Sequence, residues 1–132
     1  MSKSDAKIIH GTVVPFRGLG RKLGFPTANL KVETKLADGV YFGWAKLGKS
    51  AKKQALIFIG RPTTVGDYDR RVEAHILDLA DKDYYGQELV LEAAHFHRDY
   101  LDFKNFDELV GAIKSDEAAA HSWFKHHALH TS

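Results

Sequence analysis

The stretch Gly18-Leu19-Gly20-Arg21-Lys22-Leu23-Gly24-Phe25-Pro26-Thr27-Ala28-Asn29 holds the residue types best suited to chemistry. Glycines at 18, 20 and 24 let a backbone approach a ligand closely. Arg21 and Lys22 add positive charge, and the N–H groups of such a loop can form an anion-binding concavity. No Gly-Lys-Ser/Thr follows at Walker A spacing, and no helix signal follows as a dinucleotide fingerprint requires. A bare Gly-rich loop fits an ordinary barrel loop equally well. Thr27 and Asn29 narrow the choice. In an extended segment they point to the same side. A hydroxyl and a carboxamide oxygen are hard donors that, with phosphate oxygens and waters, complete a Mg²⁺ shell. The same two side chains beside Pro26 also suit local backbone hydrogen bonding, so residue types alone leave both readings open.

Three further segments could bear on a reaction. In Val72-Glu73-Ala74-His75-Ile76-Leu77-Asp78, alternation puts Glu73 and His75 on the face away from Val72, Ala74 and Ile76. A carboxylate on a rigid strand is a candidate general base if a substrate hydroxyl comes within hydrogen-bond reach; a lone strand Glu is also commonly just solvated. The Glu/His pair is too small to specify a metal site. Asp83-Tyr84-Tyr85-Gly86-Gln87 reads as a turn whose aromatics cover a flat ring or pack on a barrel. In the segment from Phe96 to Phe103, Arg98 could hold a polar ring edge, and Tyr100 and Phe103 could cover an aromatic ligand or anchor a loop.

The elements that must position these residues are mostly short strands. Ile8–Val14 is a β-branched run ended by Pro15. Val40–Leu47 alternates, with Val40, Phe42 and Trp44 on one face; Gly48-Lys49-Ser50 turns the chain, and Gln54–Ile59 returns as a hairpin partner. Arg71–Leu77 and Glu88–His97 follow, the latter with Leu89, Leu91 and Ala93 on one side. The period then changes. Phe106, Leu109, Val110, Ile113 and Ala120 form a helical stripe, predicting a helix over 106–124, with Asn105 and Glu108 spaced as a capping box. Residues 126–132 read as a frayed tail. Five or six strands and one helix predict a closed antiparallel barrel with the helix packed on it.

The chain's 132 residues fit one domain, with a core over about 8–124. It has no apolar run of the ~18 residues a membrane span needs. No hydrophobic stretch follows Met1–Asp5, so no secretory signal is expected. The absence of cysteine excludes disulfides and thiolate metal sites and makes a reducing cytoplasm the expected compartment. Charge is asymmetric. Residues 1–60 carry 11 Lys+Arg against 3 Asp+Glu, and residues 61–132 carry 8 against 14. A basic half suits an anionic ligand, without separating mononucleotide from polynucleotide.

Taken in order, these segments resemble the riboflavin kinase (flavokinase) family from about Gly11 to Asp116. The loop into Gly24-Phe25-Pro26-Thr27-Ala28-Asn29 is the most specific match. Gly39-Val40-Tyr41, Ile59-Gly60-Arg61-Pro62-Thr63, Val72-Glu73-Ala74-His75-Ile76-Leu77, Tyr85-Gly86 and Arg98…Phe103…Phe106…Leu109 complete the series. Two positions depart from the family pattern: Thr64, where Phe often follows Pro-Thr, and Phe58, where a smaller or polar residue is common. Both are expected on the nucleotide-side wall.

The resemblance implies a six-stranded antiparallel Greek-key barrel with a C-terminal helix. It implies transfer of the γ-phosphate of ATP to the 5′-hydroxyl of riboflavin, giving FMN and ADP. Thr27 and Asn29 would hold Mg²⁺, with Mn²⁺ or Zn²⁺ as other options. Gly18, Gly20, Arg21, Lys22, Gly24, Pro26, Thr27, Asp83, Tyr84 and Gly86 would line the nucleotide. Glu73 would be the general base, and Glu73, Arg98, Tyr100 and Phe103 would meet the flavin. The chain is too short to add an adenylyltransferase domain, so the expected product is FMN. The expected partners are these small molecules, with no nucleic acid or membrane, and the expected state is a monomer. Two other classes compete: a non-catalytic flavin- or nucleotide-binding barrel, which has no need of a base, and a nucleic-acid-binding barrel, which would expose aromatics among basic residues.

Overall fold

The computed structural model describes residues 7–14, 27–66, 68–79 and 84–127. Six strands, β1 (Ile8–Val14), β2 (Ala28–Leu30), β3 (Gly39–Leu47), β4 (Lys53–Gly60), β5 (Arg71–Ile76) and β6 (Glu88–Arg98), precede one helix, α1 (Phe106–His127). The strands close into an antiparallel barrel in the order β1-β2-β5-β4-β3-β6. Strands β3, β4 and β5 form a meander, and the connection from β2 to β3 passes over two strands, the Greek-key step.

Period-two alternation decides which side chains fill the barrel. Val13, Leu30, Tyr41, Ile57, Val72, Ala74, Leu89 and Leu91 point inward and are buried. The opposite face of β3 and β4 is also apolar. Phe42, Trp44 and Leu56 are buried there beneath Ala120 and Phe124 of α1. The expected aromatic face of β3 is thus a second core, lying between barrel and helix. Phe42 stacks on His97 at 4.5 Å between ring centroids, and Trp44 meets Phe124 edge-on at 5.1 Å. Phe106, expected on the helix stripe, is instead 46% exposed.

Asn105 caps α1, its Oδ1 accepting from the Glu108 N–H at 2.9 Å. Glu108 reaches back one residue further than a standard capping box, accepting from the Lys104 N–H at 3.1 Å. At the other end the helix continues to His127, past the expected stop at Phe124. His126 and His127 donate through Nδ1 to the carbonyls of Ser122 and Trp123, and His127 stacks on Trp123 at 4.3 Å. These contacts satisfy terminal carbonyls and place positive-capable groups at the helix C-terminus. The expected tail therefore loses its first two residues to the helix, and 128–132 lie outside the described residues.

One side chain pins the β2–β3 crossover. Arg70 donates from Nε to Asp38 at 2.6 Å, from Nη1 to the Thr34 carbonyl at 2.7 Å, and from Nη2 to the Leu36 carbonyl. The Tyr41 hydroxyl adds a bond to the Ala37 carbonyl at 2.7 Å. Bonds from a charged donor contribute most when sheltered, and Arg70 is 29% exposed. Arg70→Ala should lose about 2 kcal/mol, lowering the thermal midpoint by about 8 °C. Arg70→Lys should not restore it, because an ammonium lacks the planar fork that reaches three acceptors. Thermal unfolding of both variants checks this.

Candidate active site

Strand pairing brings the three residues of interest together. Asn29 on β2 pairs directly with Glu73 on β5 and with Val14 on β1. Both Asn29 and Glu73 stand on the outer face of the barrel, and Thr27 lies two residues before Asn29 on the same side. The Thr27 hydroxyl donates to Glu73 Oε1 at 3.3 Å. The carboxylate, hydroxyl and carboxamide thus form one cluster. β5 is hydrogen-bonded on both sides, to β2 and β4, so the Glu73 backbone is held in place.

Asn29 is only 8% exposed, and its Oδ1 is buried with no hydrogen-bond partner among the described residues. An unsatisfied buried acceptor costs about 1–3 kcal/mol. Its presence beside a hydroxyl and a carboxylate fits a hard-cation ligand. Among the described residues no three acidic or imidazole groups converge as a protein-only metal cage. A cation here would therefore draw its remaining ligands from phosphate oxygens and water, the usual habit of Mg²⁺. The expectations for Gly18, Gly20, Arg21, Lys22, Gly24, Pro26 and Asp83 fall outside the described residues.

The Tyr84–Gln87 turn adjoins this cluster through β1. The Gly86 N–H donates to the Val13 carbonyl at 2.8 Å, and the Val13 N–H donates to the Gln87 carbonyl at 2.9 Å. Gly86 has φ 84°, a backbone conformation that glycine adopts without strain. The turn, the end of β1 and the start of β2 share one rim, with Tyr84 packed on the barrel core and Tyr85 49% exposed.

On the other side of Glu73 lies the connection from β6 to α1. Arg98 grips the helix, donating from Nε and Nη2 to the two carboxylate oxygens of Asp116 at 2.8 and 2.7 Å. Its Nη1 donates to the Asp99 carbonyl, and its guanidinium lies 5.8 Å from the Phe103 ring centroid. What Arg98 touches is therefore its own loop and helix. The Tyr100 ring lies flat on Gly60, where an added Cβ would fall 2.6 Å from Cδ1. Burial pushes the Tyr100 hydroxyl well above its ordinary pKa, and the nearby negative charge of Glu73 pushes it further, so it stays protonated.

Several residues that shape this site were not anticipated. Asp116 is 2% exposed and also meets His97 Nε2 at 3.2 Å. Its signal was an acid inside the apolar stripe, one turn after Ile113. Thr63 donates to Asp102, and Thr64 Oγ1 accepts the Phe103 N–H at 2.9 Å. Thr64 was expected on the nucleotide-side wall, yet it holds the loop before α1. Phe58, the other departure, is opposite Glu73 in the β4–β5 ladder and packs on the aromatic core under the helix.

Comparison with known proteins gives this arrangement a context. A family model described as flavokinase, riboflavin kinase, matches residues 5–124. The trifunctional protein RibF/MnmA of Mycoplasmoides gallisepticum is 35% identical over 119 residues, which are 88% of this chain and 18% of that one. Human riboflavin kinase is 28% identical over 109 residues, covering 76% of this chain and 70% of that one. The chain spans less than two fifths of the length of several multifunctional relatives. The crystal structure of riboflavin kinase from Trypanosoma brucei shares the fold, with a TM-score of 0.68 at 22% identity over 93% of this chain and 82% of that one. With nearly the whole barrel and helix inside the matched region, the chain belongs to the riboflavin kinase family.

Proposed function

We propose that this domain transfers the γ-phosphate of ATP to the 5′-hydroxyl of riboflavin, giving FMN and ADP, with Mg²⁺ held by Thr27 and Asn29. The observation that carries the reading is the orphaned Asn29 Oδ1 beside Thr27 and the strand-fixed Glu73. Phosphoryl transfer is mostly positioning and charge neutralisation. A divalent ion, when bound, supplies the neutralisation. The chain's own contribution is to hold the acceptor hydroxyl at Glu73. The carboxylate takes the hydroxyl proton as the oxygen–phosphorus bond forms and the bond to the ADP oxygen breaks. Tyr84 and Gly86 would border the nucleotide, and Tyr100 and Phe103 the flavin ring, on opposite sides of Glu73. Arg98 would support the flavin side through Asp116. The same reading takes the enzyme as a cytoplasmic monomer acting on small molecules, in keeping with a cysteine-free chain.

Incubation with riboflavin, ATP and Mg²⁺, followed by chromatography, tests the proposal directly. FMN is the expected product; tight flavin binding without FMN would refute it. A second test addresses the cation. Asn29→Leu removes an acceptor that costs stability in the absence of a ligand. Its thermal midpoint without metal should lie within about 3 °C of the parent. The Mg²⁺ concentration for half-maximal rate should rise at least about tenfold. A titration of rate against Mg²⁺ measures the second quantity, and an unchanged midpoint of that titration would remove Asn29 from the metal shell.

A further inference from the structure

Glu73 can act on a bound hydroxyl only if the rest of that substrate is held at a fixed offset from it. The segment best placed to do so is the loop between β6 and α1. Its tip is tied down along one side by the end of β4 and the residues that follow. Gly60 is the last residue of β4 and faces outward like Phe58. Because Gly60 pairs with Arg71, and Phe58 with Glu73, Gly60 lies one diagonal step from Glu73. The Tyr100 ring occupies the space a side chain at 60 would fill, within 2.6 and 2.7 Å of a Cβ built there. Three residues on, a 3₁₀ turn at Thr63–Val65 presents two hydroxyls to the same loop. Thr63 donates to Asp102, and Thr64 takes the Phe103 N–H at 2.9 Å.

We propose that Gly60 and Thr64 are positioning residues for the acceptor substrate. Gly60 seats Tyr100 flat beside Glu73, and Thr64 ties the Phe103 backbone, so that residues 100–103 form a standing wall of the acceptor pocket. This deepens the kinase reading and rests on it for the identity of the acceptor. The wall presents a flat ring, with Leu101 and Phe106 exposed next to it at 51% and 46%. Such a surface suits a planar heteroaromatic whose hydroxylated chain runs toward Glu73. Among the described residues Gly60 meets Tyr100 and Thr64 meets Phe103, both in the β6–α1 connection, so their influence is expected on the acceptor rather than on the nucleotide.

Thr64→Val keeps the branched shape and removes the hydroxyl, and Thr64→Ser restores it. Amide hydrogen exchange over residues 99–105 reads the tether without reference to catalysis. Loss of one hydrogen bond from the Phe103 amide should speed exchange there about tenfold. In steady-state assays Thr64→Val should raise KM for riboflavin about tenfold. KM for ATP and kcat should stay within about twofold, a change too small to reflect a lost interaction. Thr64→Ser should return both exchange and KM to parental values. Gly60→Ala, which must displace the Tyr100 ring, should give the same split between the two KM values and stands in if Thr64→Val does not fold. Unchanged exchange in Thr64→Val overturns the tether, whatever the parent catalyses. Equal rises in both KM values, in either variant, overturn the positioning role. A parent protein that makes no FMN overturns the kinase reading and the acceptor wall with it.

Discussion

Glu73→Gln is expected to lower the rate of FMN formation about 10²–10³-fold while nucleotide affinity changes less than about threefold. The substitution is nearly isosteric. The amide oxygen can still accept from the Thr27 hydroxyl, so the cluster keeps its shape. What disappears is the ability to take up a proton. A primary hydroxyl is a poor nucleophile at neutral pH, and a positioned carboxylate typically supplies 10²–10⁴-fold through proton acceptance. The strand context helps the comparison: β5 is paired with β2 and β4, so the backbone at 73 is held in place in both proteins. Glu73→Asp is the companion variant. It keeps the base but withdraws it by one methylene, and misplacement by about 1 Å can cost about 10²-fold. Single-turnover chemical quench gives the transfer rate, and titration with a fluorescent ADP analogue gives affinity. Near-parental turnover in Glu73→Gln would end its assignment as the base and leave charge neutralisation as the whole of the catalysis.

Much of this architecture could be read from residue patterns, because the patterns record burial. The alternation in Arg71–Ile76 and in Glu88–Arg98 follows from one buried face, and it placed Glu73 on the outer side of the barrel. The C-terminal part of the helical stripe follows from burial, with Ala120 and Phe124 packed on Phe42 and Trp44. β2 was harder to see, being three residues long and defined by its partners more than by its composition. The long-range ties left almost no local trace. Arg70 binds carbonyls more than thirty residues away, and any loop carbonyl would serve as well. Gly60 was visible as part of a motif, but its reason, the Tyr100 ring forty residues later, exists only in three dimensions. Thr64 looked like a departure from pattern because its partner is a backbone amide, which any residue at 103 except proline would provide. Thr27 and Asn29 were legible as a pair, whereas the unsatisfied state of the Asn29 oxygen needed the packed barrel to show it.

Asp116→Ala should be the most destabilising single change outside the two apolar cores, at about 3–5 kcal/mol. The carboxylate is almost wholly buried and accepts both arms of Arg98, with His97 as a third neighbour. Burying such an ion is unfavourable unless its partners are in place, and removing one partner leaves the other stranded. In the variant, the Arg98 guanidinium, 22% exposed, keeps among the described residues the Asp99 carbonyl and the face of Phe103. The thermal midpoint should fall by about 12–20 °C. Removing both partners should cost much less than the sum of the single losses, because no charge is then left unpaired. Arg98→Met with Asp116→Leu is the suitable double variant, and denaturant unfolding of the four proteins completes the cycle. A coupling energy below about 1 kcal/mol would show that the pair is dispensable to the fold. The same double variant separates the two roles open to Arg98. If it serves by anchoring the loop to α1, apolar packing at 98 and 116 should preserve the anchor, and KM for riboflavin should change less than about threefold. If the guanidinium instead meets the flavin directly, the double variant should be stable yet lose flavin affinity about tenfold or more. Stability and affinity, measured on one protein, thus assign the arginine to the scaffold or to the substrate.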